Sequence, residues 1–188
     1  LRVETQFSNV SISIDGSSVE TDSNGVVTVS VLQGVHNVGA ESPIQVSAGS
    51  QGLFERWSDG DLANPRSLNI SSDTVLSVEY KLQFYLSITG NGGVISGEGW
   101  YDQGATANAS AVSPCNVVEN QRRMVFEFWS GDFNSSSRSL TFTMDSPHSL
   151  NATWASQYYL AIASSFGEPK GEGWHDSGSE VDFSVPPL

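Results

Sequence analysis

Three histidines, 21 carboxylates, five tryptophans and one cysteine are the residues of this 188-residue chain whose types could do chemistry. His36, His148 and His175 stand in unlike contexts, and none shows the i, i+4 spacing of a zinc-binding helix. No nucleophile elbow, P-loop or dinucleotide fingerprint occurs. A glycosidase needs two carboxyl groups about 5–9 Å apart, and β-domains as short as those expected below leave little room for its cleft. Asp59-Gly60-Asp61 and Asp22-Ser23-Asn24-Gly25 cluster oxygen ligands on tight loops, as calcium requires. Neither continues into a twelve-residue calcium loop with its terminal glutamate, and Asp and Asn in turns also bond their own backbone. Turns are therefore expected there, with no metal, cofactor or catalytic residue.

The aromatic residues divide in two. Trp57, Trp129 and Trp154 lie in or beside strand patterns and are expected in the core. Trp100-Tyr101 and Trp174-His175 follow glycines in turns. Exposed, these four residues could stack on sugar rings; packed, they would cap the end of a sandwich, with glycine permitting close backbone approach. The cap is the expectation. Cys115, alone, excludes an internal disulfide framework and any multi-cysteine metal site. An inert thiol is expected in preference to a link between subunits. Five sequons, at Asn9, Asn69, Asn108, Asn134 and Asn151, are candidate N-glycosylation sites, although Ser-rich strands also generate such triplets freely.

Charge sets the class of partner. Eight basic against 21 acidic residues give a net charge of -13, which argues against nucleic acid and against anionic membrane surfaces. Charged residues are only 15% of the chain, and 32 serines fill the gap. No apolar stretch reaches the length of a membrane-spanning helix, so membrane insertion is not expected. Leu1 opens the sequence without a signal-peptide pattern, which fits a mature form or an excised piece.

The elements that hold these residues repeat. Phe84-Tyr85-Leu86-Ser87-Ile88 recurs as Tyr158-Tyr159-Leu160-Ala161-Ile162, and Gly97-Glu98-Gly99-Trp100-Tyr101-Asp102 recurs as Gly171-Glu172-Gly173-Trp174-His175-Asp176, both at an offset of 74. Phe54-Glu55-Arg56-Trp57-Ser58 matches Phe126-Glu127-Phe128-Trp129-Ser130 at an offset of 72, and Tyr80 meets Trp154 once the 74 offset resumes. Three units follow: 1–83 with a divergent front half, 84–157 complete, and 158–188 ending at Leu188 where the front half of a repeat ends.

Within the units, Val10, Ile12 and Ile14 alternate with serines, the period-2 signature of a half-buried strand. Asp15-Gly16 and Ser23-Asn24-Gly25 mark tight turns. Strands are expected near 44–48, 53–57, 67–71, 74–80, 84–88, 104–112, 124–129, 139–143, 149–154, 158–163 and 180–185. No segment shows helical periodicity with caps. The expected fold is all-β, tandem Ig-like antiparallel β-sandwich domains, with β-grasp-like repeats as the alternative.

The succession Gly-Glu-Gly-Trp-Tyr-Asp, Phe-x-x-Trp-Ser-Gly-Asp and Leu-Thr-Phe-Thr-Met-Asp-x-Pro-His resembles divergent internalin-type B-repeats and related archaeal cell-surface repeats, best over 84–157. Residues 10–38 resemble a PEGA-type surface module. The resemblance implies an extracellular or cell-surface location and a spacer, adhesive or lattice role.

A sheet lacking strands exposes backbone groups and half its core. Tyr158, Tyr159, Leu160, Ile162, Val181, Phe183 and Val185 would have no partner within the third repeat. The expectation is self-association into a homopolymer, a filament or surface layer in which 158–188 or the segment 1–8 completes a neighbour's sheet. A carbohydrate-binding or spacer module of a larger secreted enzyme or adhesin is the alternative.

Overall fold

The computed structural model describes residues 1–165 and 167–185. It is all-β, 58% strand, with no helix among the described residues. The first strands are β1 (Arg2–Thr5), β2 (Ser11–Ile14), β3 (Ser17–Glu20), β4 (Val26–Thr28), β5 (Gly34–Ala40), β6 (Ile44–Ser47), β7 (Ser50–Trp57), β8 (Arg66–Ile70) and β9 (Val75–Gly90). The others are β10 (Ile95–Ser96), β11 (Gly99–Asp102), β12 (Thr106–Ala111), β13 (Cys115–Val118), β14 (Arg122–Gly131), β15 (Ser139–Thr143), β16 (His148–Leu160) and β17 (Gly173–Asp176).

The chain forms two compact units, whereas the sequence repeat divides it into three. Unit 1 comprises Leu1–Tyr85, Trp100–Ala105 and Asp145–Pro147; unit 2 comprises Leu86–Gly99, Thr106–Met144 and the chain from His148 onward. The reason lies in β9 and β16. The expected pair of strands at 74–80 and 84–88 is a single strand, and so is most of 149–163, because no Gly, Pro, Asn or Asp interrupts Lys81-Leu82-Gln83 or Ala155-Ser156-Gln157. Even-numbered residues from Leu76 to Ile88 hold one face of β9 throughout, with Leu76, Val78, Tyr80, Phe84, Leu86 and Ile88 all buried. The segment 180–185 is no strand; within it only Ser184 bridges, to Lys170. Residues 186–188, the end of the expected third repeat, lie outside the described residues.

Each unit has two sheets. In unit 1, β6, β7, β9, β1 and β4 lie in that order, and the second sheet runs β3-β2-β5-β8. In unit 2, β13, β14, β16 and the Leu86–Gly90 end of β9 lie in order, beside a sheet of β10-β12-β15. The antiparallel expectation needs correction, since β1 runs parallel to β9, and Leu86–Gly90 runs parallel to β16. A parallel pair needs a long crossover, and the intervening body of each repeat supplies it.

The registers superpose repeat on repeat. Phe54 pairs with Tyr80 and Phe126 with Trp154, and a bulge follows each, between Phe54 and Arg56 and between Phe126 and Phe128. Phe54 N–H donates to Ser42 Oγ and Phe126 N–H to Ser113 Oγ, both at 2.9 Å. Tyr80 OH reaches Glu41 O at 2.8 Å, and Trp154 Nε1–H reaches Val112 O at 3.0 Å. Trp57 and Trp129 are fully buried, each with its Phe (Phe54, Phe126) at 5.5 Å between ring centroids.

The structure also aligns the divergent front half. Val3 pairs with Leu76 as Ile88 pairs with Leu150, which equates Leu1–Gln6 with Leu86–Asn91. Gln6 Nε2 accordingly donates to Tyr80 O at 3.1 Å, and Asn91 Nδ2 to Trp154 O at 2.9 Å. Core volume is then exchanged between equivalent sites. Unit 1 sets Phe7 against Tyr80 and Gly52; unit 2 sets Gly92 against Met124 and fits the larger Trp154 beside Gly90 and Gly93. Interiors packed to crystal density accept such paired changes and resist single ones.

Candidate functional site

The repeated Gly-Glu-Gly-Trp segments turn where side chains do not fit. Gly97 has φ +109 and a Cβ there would strike Asn108 O; Gly171 has φ +95 and a Cβ there would lie 2.6 Å from Asp182 O. Only glycine takes both the positive φ and the close approach. Beyond each turn the chain enters a strand, β11 or β17, that adds to a long strand of the preceding repeat: β11 to β9 and β17 to β16.

These two added strands make equivalent bonds. Gln83 Nε2 donates to Asp102 Oδ1 at 2.8 Å, and Gln157 Nε2 to Asp176 Oδ1 at 2.9 Å. Trp100 stands edge-on to Tyr85 at 5.1 Å, and Trp174 to Tyr159 at 5.3 Å. Such edge-to-face pairs contribute about 0.5–1.5 kcal/mol beyond the area they bury. Lys81 Nζ lies 2.6 Å from Asp102 Oδ2. Lys81, then Gln83, holds the Asp102 carboxyl below its ordinary range, and Asp102 in turn raises the lysine. In unit 2 the Arg123 guanidinium lies 4.4 Å over the Trp174 ring and Arg123 Nε–H donates to Gln157 Oε1 at 2.8 Å. Tyr159 OH donates to Glu172 Oε1 at 2.9 Å, which lifts the phenol above its ordinary value.

The candidate sugar-stacking residues, expected in turns, lie instead on strands β11 and β17, where the chain has left the glycine turn, and in unequal surroundings. Trp100 is 39% exposed, while Trp174 is half-buried under Arg123 and Tyr159; Tyr101 and His175 are half-buried, and His175 Nε2 lies 2.8 Å from Gly171 O. Of the assembly candidates, Tyr158, Tyr159 and Leu160 were expected to lack a partner within the third repeat; they are instead the last residues of β16 and pair with His175, Trp174 and Gly173 of β17, inside that repeat. Ile162 and Val181 are half-buried outside any strand, and Phe183 and Val185 are exposed. Sequence reasoning did not single out Arg122, Arg123 and Tyr158 as a group. They line, with Asn116, Met124 and Ser156, a small hollow of about 140 Å³ at the start of β14 and the end of β16.

The remaining candidates are accounted for. All five sequon asparagines are exposed. Asp59 and Asp61 both grip Arg66, at 2.6 and 3.2 Å, and Asp22 Oδ1 accepts from Asn24 N–H and Val26 N–H at 2.9 Å each. Among the described residues no three His, Cys, Asp or Glu side chains converge as a metal site would require. Cys115 is buried and pairs with Met124 across β13 and β14. His36 Nδ1 lies 2.7 Å from Asp15 Oδ2 and its Nε2 lies 2.8 Å from Leu32 O, so neither ring nitrogen is left to serve a nucleophile. His148 Nδ1 lies 3.2 Å from Asp132 Oδ2, and its ring packs tilted against Phe133 and edge-on to Phe142. Comparison with protein-family models, curated proteins and solved structures yields no match.

Proposed function

We propose that this chain is a non-enzymatic structural protein of the cell surface, whose tandem Ig-like sandwich repeats join by strand complementation into a filament or surface layer. One observation carries the reading: along the chain, each repeat's long strand receives its last neighbour from the repeat that follows, β11 on β9 and β17 on β16. A fold that completes one repeat with the next uses the same main-chain bonds that strand addition uses between molecules. The resemblance of 84–157 to surface B-repeats, the five exposed sequons and the net charge of -13 support an extracellular setting with N-linked glycans. Negative-stain microscopy and sizing of the native, unheated protein at several concentrations test it. Fibres or a concentration-dependent ladder of oligomers are expected; a monomer at every concentration would refute assembly.

A second reading rests on Trp100, whose 39% exposure beside Tyr85 leaves an aromatic surface for a sugar ring. A carbohydrate-binding module would show a tryptophan fluorescence change on adding polysaccharide, lost in Trp100→Ala. Absence of that change removes the reading.

A further inference from the structure

The corner where β14 begins and β16 ends differs in kind from its counterpart in unit 1. Backbone bonds equate the two: Gly49 O accepts from Tyr85 N–H at 2.9 Å, and Gln121 O from Tyr159 N–H at 3.0 Å. Ser50 then pairs with Phe84 as Arg122 pairs with Tyr158. In unit 1 the corner is shut. Ser50 and Phe84 are buried, and Pro147 closes on Gly49, where a Cβ would lie 2.9 Å from the proline Cβ. In unit 2 Arg122 is exposed, Tyr158 is 53% exposed, and Gln121 carries the Cβ that this closure forbids. A proline loop cannot seat on Gln121 as Pro147 seats on Gly49, whichever segment supplies it.

What opens there is polar. Opposed residues of an antiparallel pair share a face, so Arg122 and Tyr158, with Met124 and Ser156 beside them, line the 140 Å³ hollow together with Asn116. Ser156 and Tyr158 continue the face of β16 that carries Leu150, Ala152 and Trp154 into the core. The Arg122 guanidinium is uncommitted. Arg2, Arg56 and Arg66 hold carboxylates, Arg123 is engaged with Gln157 and Trp174, and Arg138 donates to Ser113 O at 3.0 Å. Arg122 alone of the arginines has no side-chain partner among the described residues, in a chain with 21 carboxylates. Tyr158 OH has none there either.

We infer that this hollow binds the carboxylate edge of an acidic sugar, a uronate. An arginine fork meets a planar carboxylate with two parallel N–H···O bonds. One guanidinium balances the single negative charge of a carboxylate and falls short of a phosphate monoester. The exposed Tyr158 ring gives the pyranose a face to lie on, with its OH left for a sugar hydroxyl. Asn116 Nδ2 is held by Gly92 O at 2.7 Å, which leaves Oδ1 to accept from a second hydroxyl. The hollow is smaller than the roughly 300–1,000 Å³ of a pocket that engulfs a drug-sized ligand, so it takes one acidic residue and leaves the rest of the glycan outside. Such binding stands whether or not the chain assembles.

Titration of the native chain with sodium glucuronate, followed by nitrogen–proton correlation NMR, tests this. Saturable shifts at the amides of Arg122, Ser156 and Tyr158 are expected. Glucose lacks the charge and acetate lacks the ring, so each should bind about tenfold more weakly or worse. Arg122→Gln should weaken glucuronate by about tenfold or more, the loss of a charge-assisted pair, while Arg138→Gln changes nothing. Tyr158→Ala should weaken glucuronate and leave acetate unchanged, since it removes the ring face and keeps the charge. Urea unfolding checks that each variant is folded, and Arg122→Gln decides alone if Tyr158→Ala is not. Acetate or sulfate binding as tightly as glucuronate would reduce the hollow to a general anion site and overturn the uronate. Equal binding of glucose, tighter binding of an acidic peptide, or no shift at these amides would each overturn it too.

Discussion

Gly93→Ala tests whether the volume exchange between the two units is what shapes the core. A Cβ on Gly93 would lie closer than 3.0 Å to three atoms of the Trp154 indole. The ring has nowhere to withdraw: Phe126 stands edge-on at 5.6 Å, Gly90 already limits its far edge, and Nε1–H is committed to Val112 O at 3.0 Å. Overpacking a closed core costs about 1–3 kcal/mol. Displacing the indole adds about 1 kcal/mol for the hydrogen bond and roughly 0.5–1.5 kcal/mol for the aromatic pair. The expected destabilisation of unit 2 is therefore about 3–5 kcal/mol, a large part of a domain's margin of roughly 5–15 kcal/mol. Urea unfolding followed by tryptophan fluorescence and circular dichroism measures it. Unit 1 shows the remedy, since it carries Tyr80 at the position of Trp154. Adding Trp154→Tyr to Gly93→Ala should recover about 1 kcal/mol or more relative to additivity, within the range seen for residues in contact. A loss below about 1 kcal/mol for Gly93→Ala, or strict additivity in the double variant, would refute the reasoning.

Three further outcomes are expected. Trp57→Phe should cost about 1–2 kcal/mol more than Trp129→Phe, because Trp57 Nε1–H donates to Ala63 O at 2.9 Å whereas Trp129 Nε1–H has no acceptor among the described protein atoms; matched chemical denaturation checks it. Asp15, with the Leu32 carbonyl, raises the His36 imidazole above its ordinary 6.5. That stabilisation is complete below pH 6.5 and lost as pH rises through the raised folded value. Asp15, held below 3.8, contributes above that pH and ceases to as pH falls through its lowered value. An NMR titration placing His36 at or below 6.5 would contradict the first half. Gly171→Ala should loosen β17 by about 1–3 kcal/mol through strain at φ +95 and the approach to Asp182 O, read as faster amide exchange at Trp174. Gly178→Ala, with φ +80 but open space around it, should cost less, and equal effects would remove the close approach as the cause.

Much of the architecture was legible because it is local. Alternation at Val10-Ile12-Ile14, turn residues at Asp15-Gly16 and Asn24-Gly25, and the lack of helical periodicity specify strands through side-chain period alone. The offsets of 72 and 74 were legible too, and the pairings Phe54 with Tyr80 and Phe126 with Trp154 reproduce them in space. The front-half match was legible in principle, in Leu-x-Val/Ile at 1–3, 86–88 and 160–162 and in Gln6 against Asn91. It was hidden because the β2–β3 hairpin and β4 lengthen repeat one, and a fixed offset does not survive an insertion.

The sequence by itself determined the repeat, the buried tryptophans and many of the strands, since these depend on side-chain period and apolar identity; it misread β11 and β17 as turns and 180–185 as a strand. Tertiary structure alone decided which strand neighbours which. Nothing in Gly99–Asp102 says that it will add to β9, and nothing in Leu86–Gly90 says that it will run parallel to β16. Pairing partners are chosen by backbone hydrogen bonds that every residue but proline can make, so the choice falls to shape: to Gly90 and Gly93 admitting Trp154, to Gly97 and Gly171 admitting a close turn, and to the unbroken length of β9 and β16.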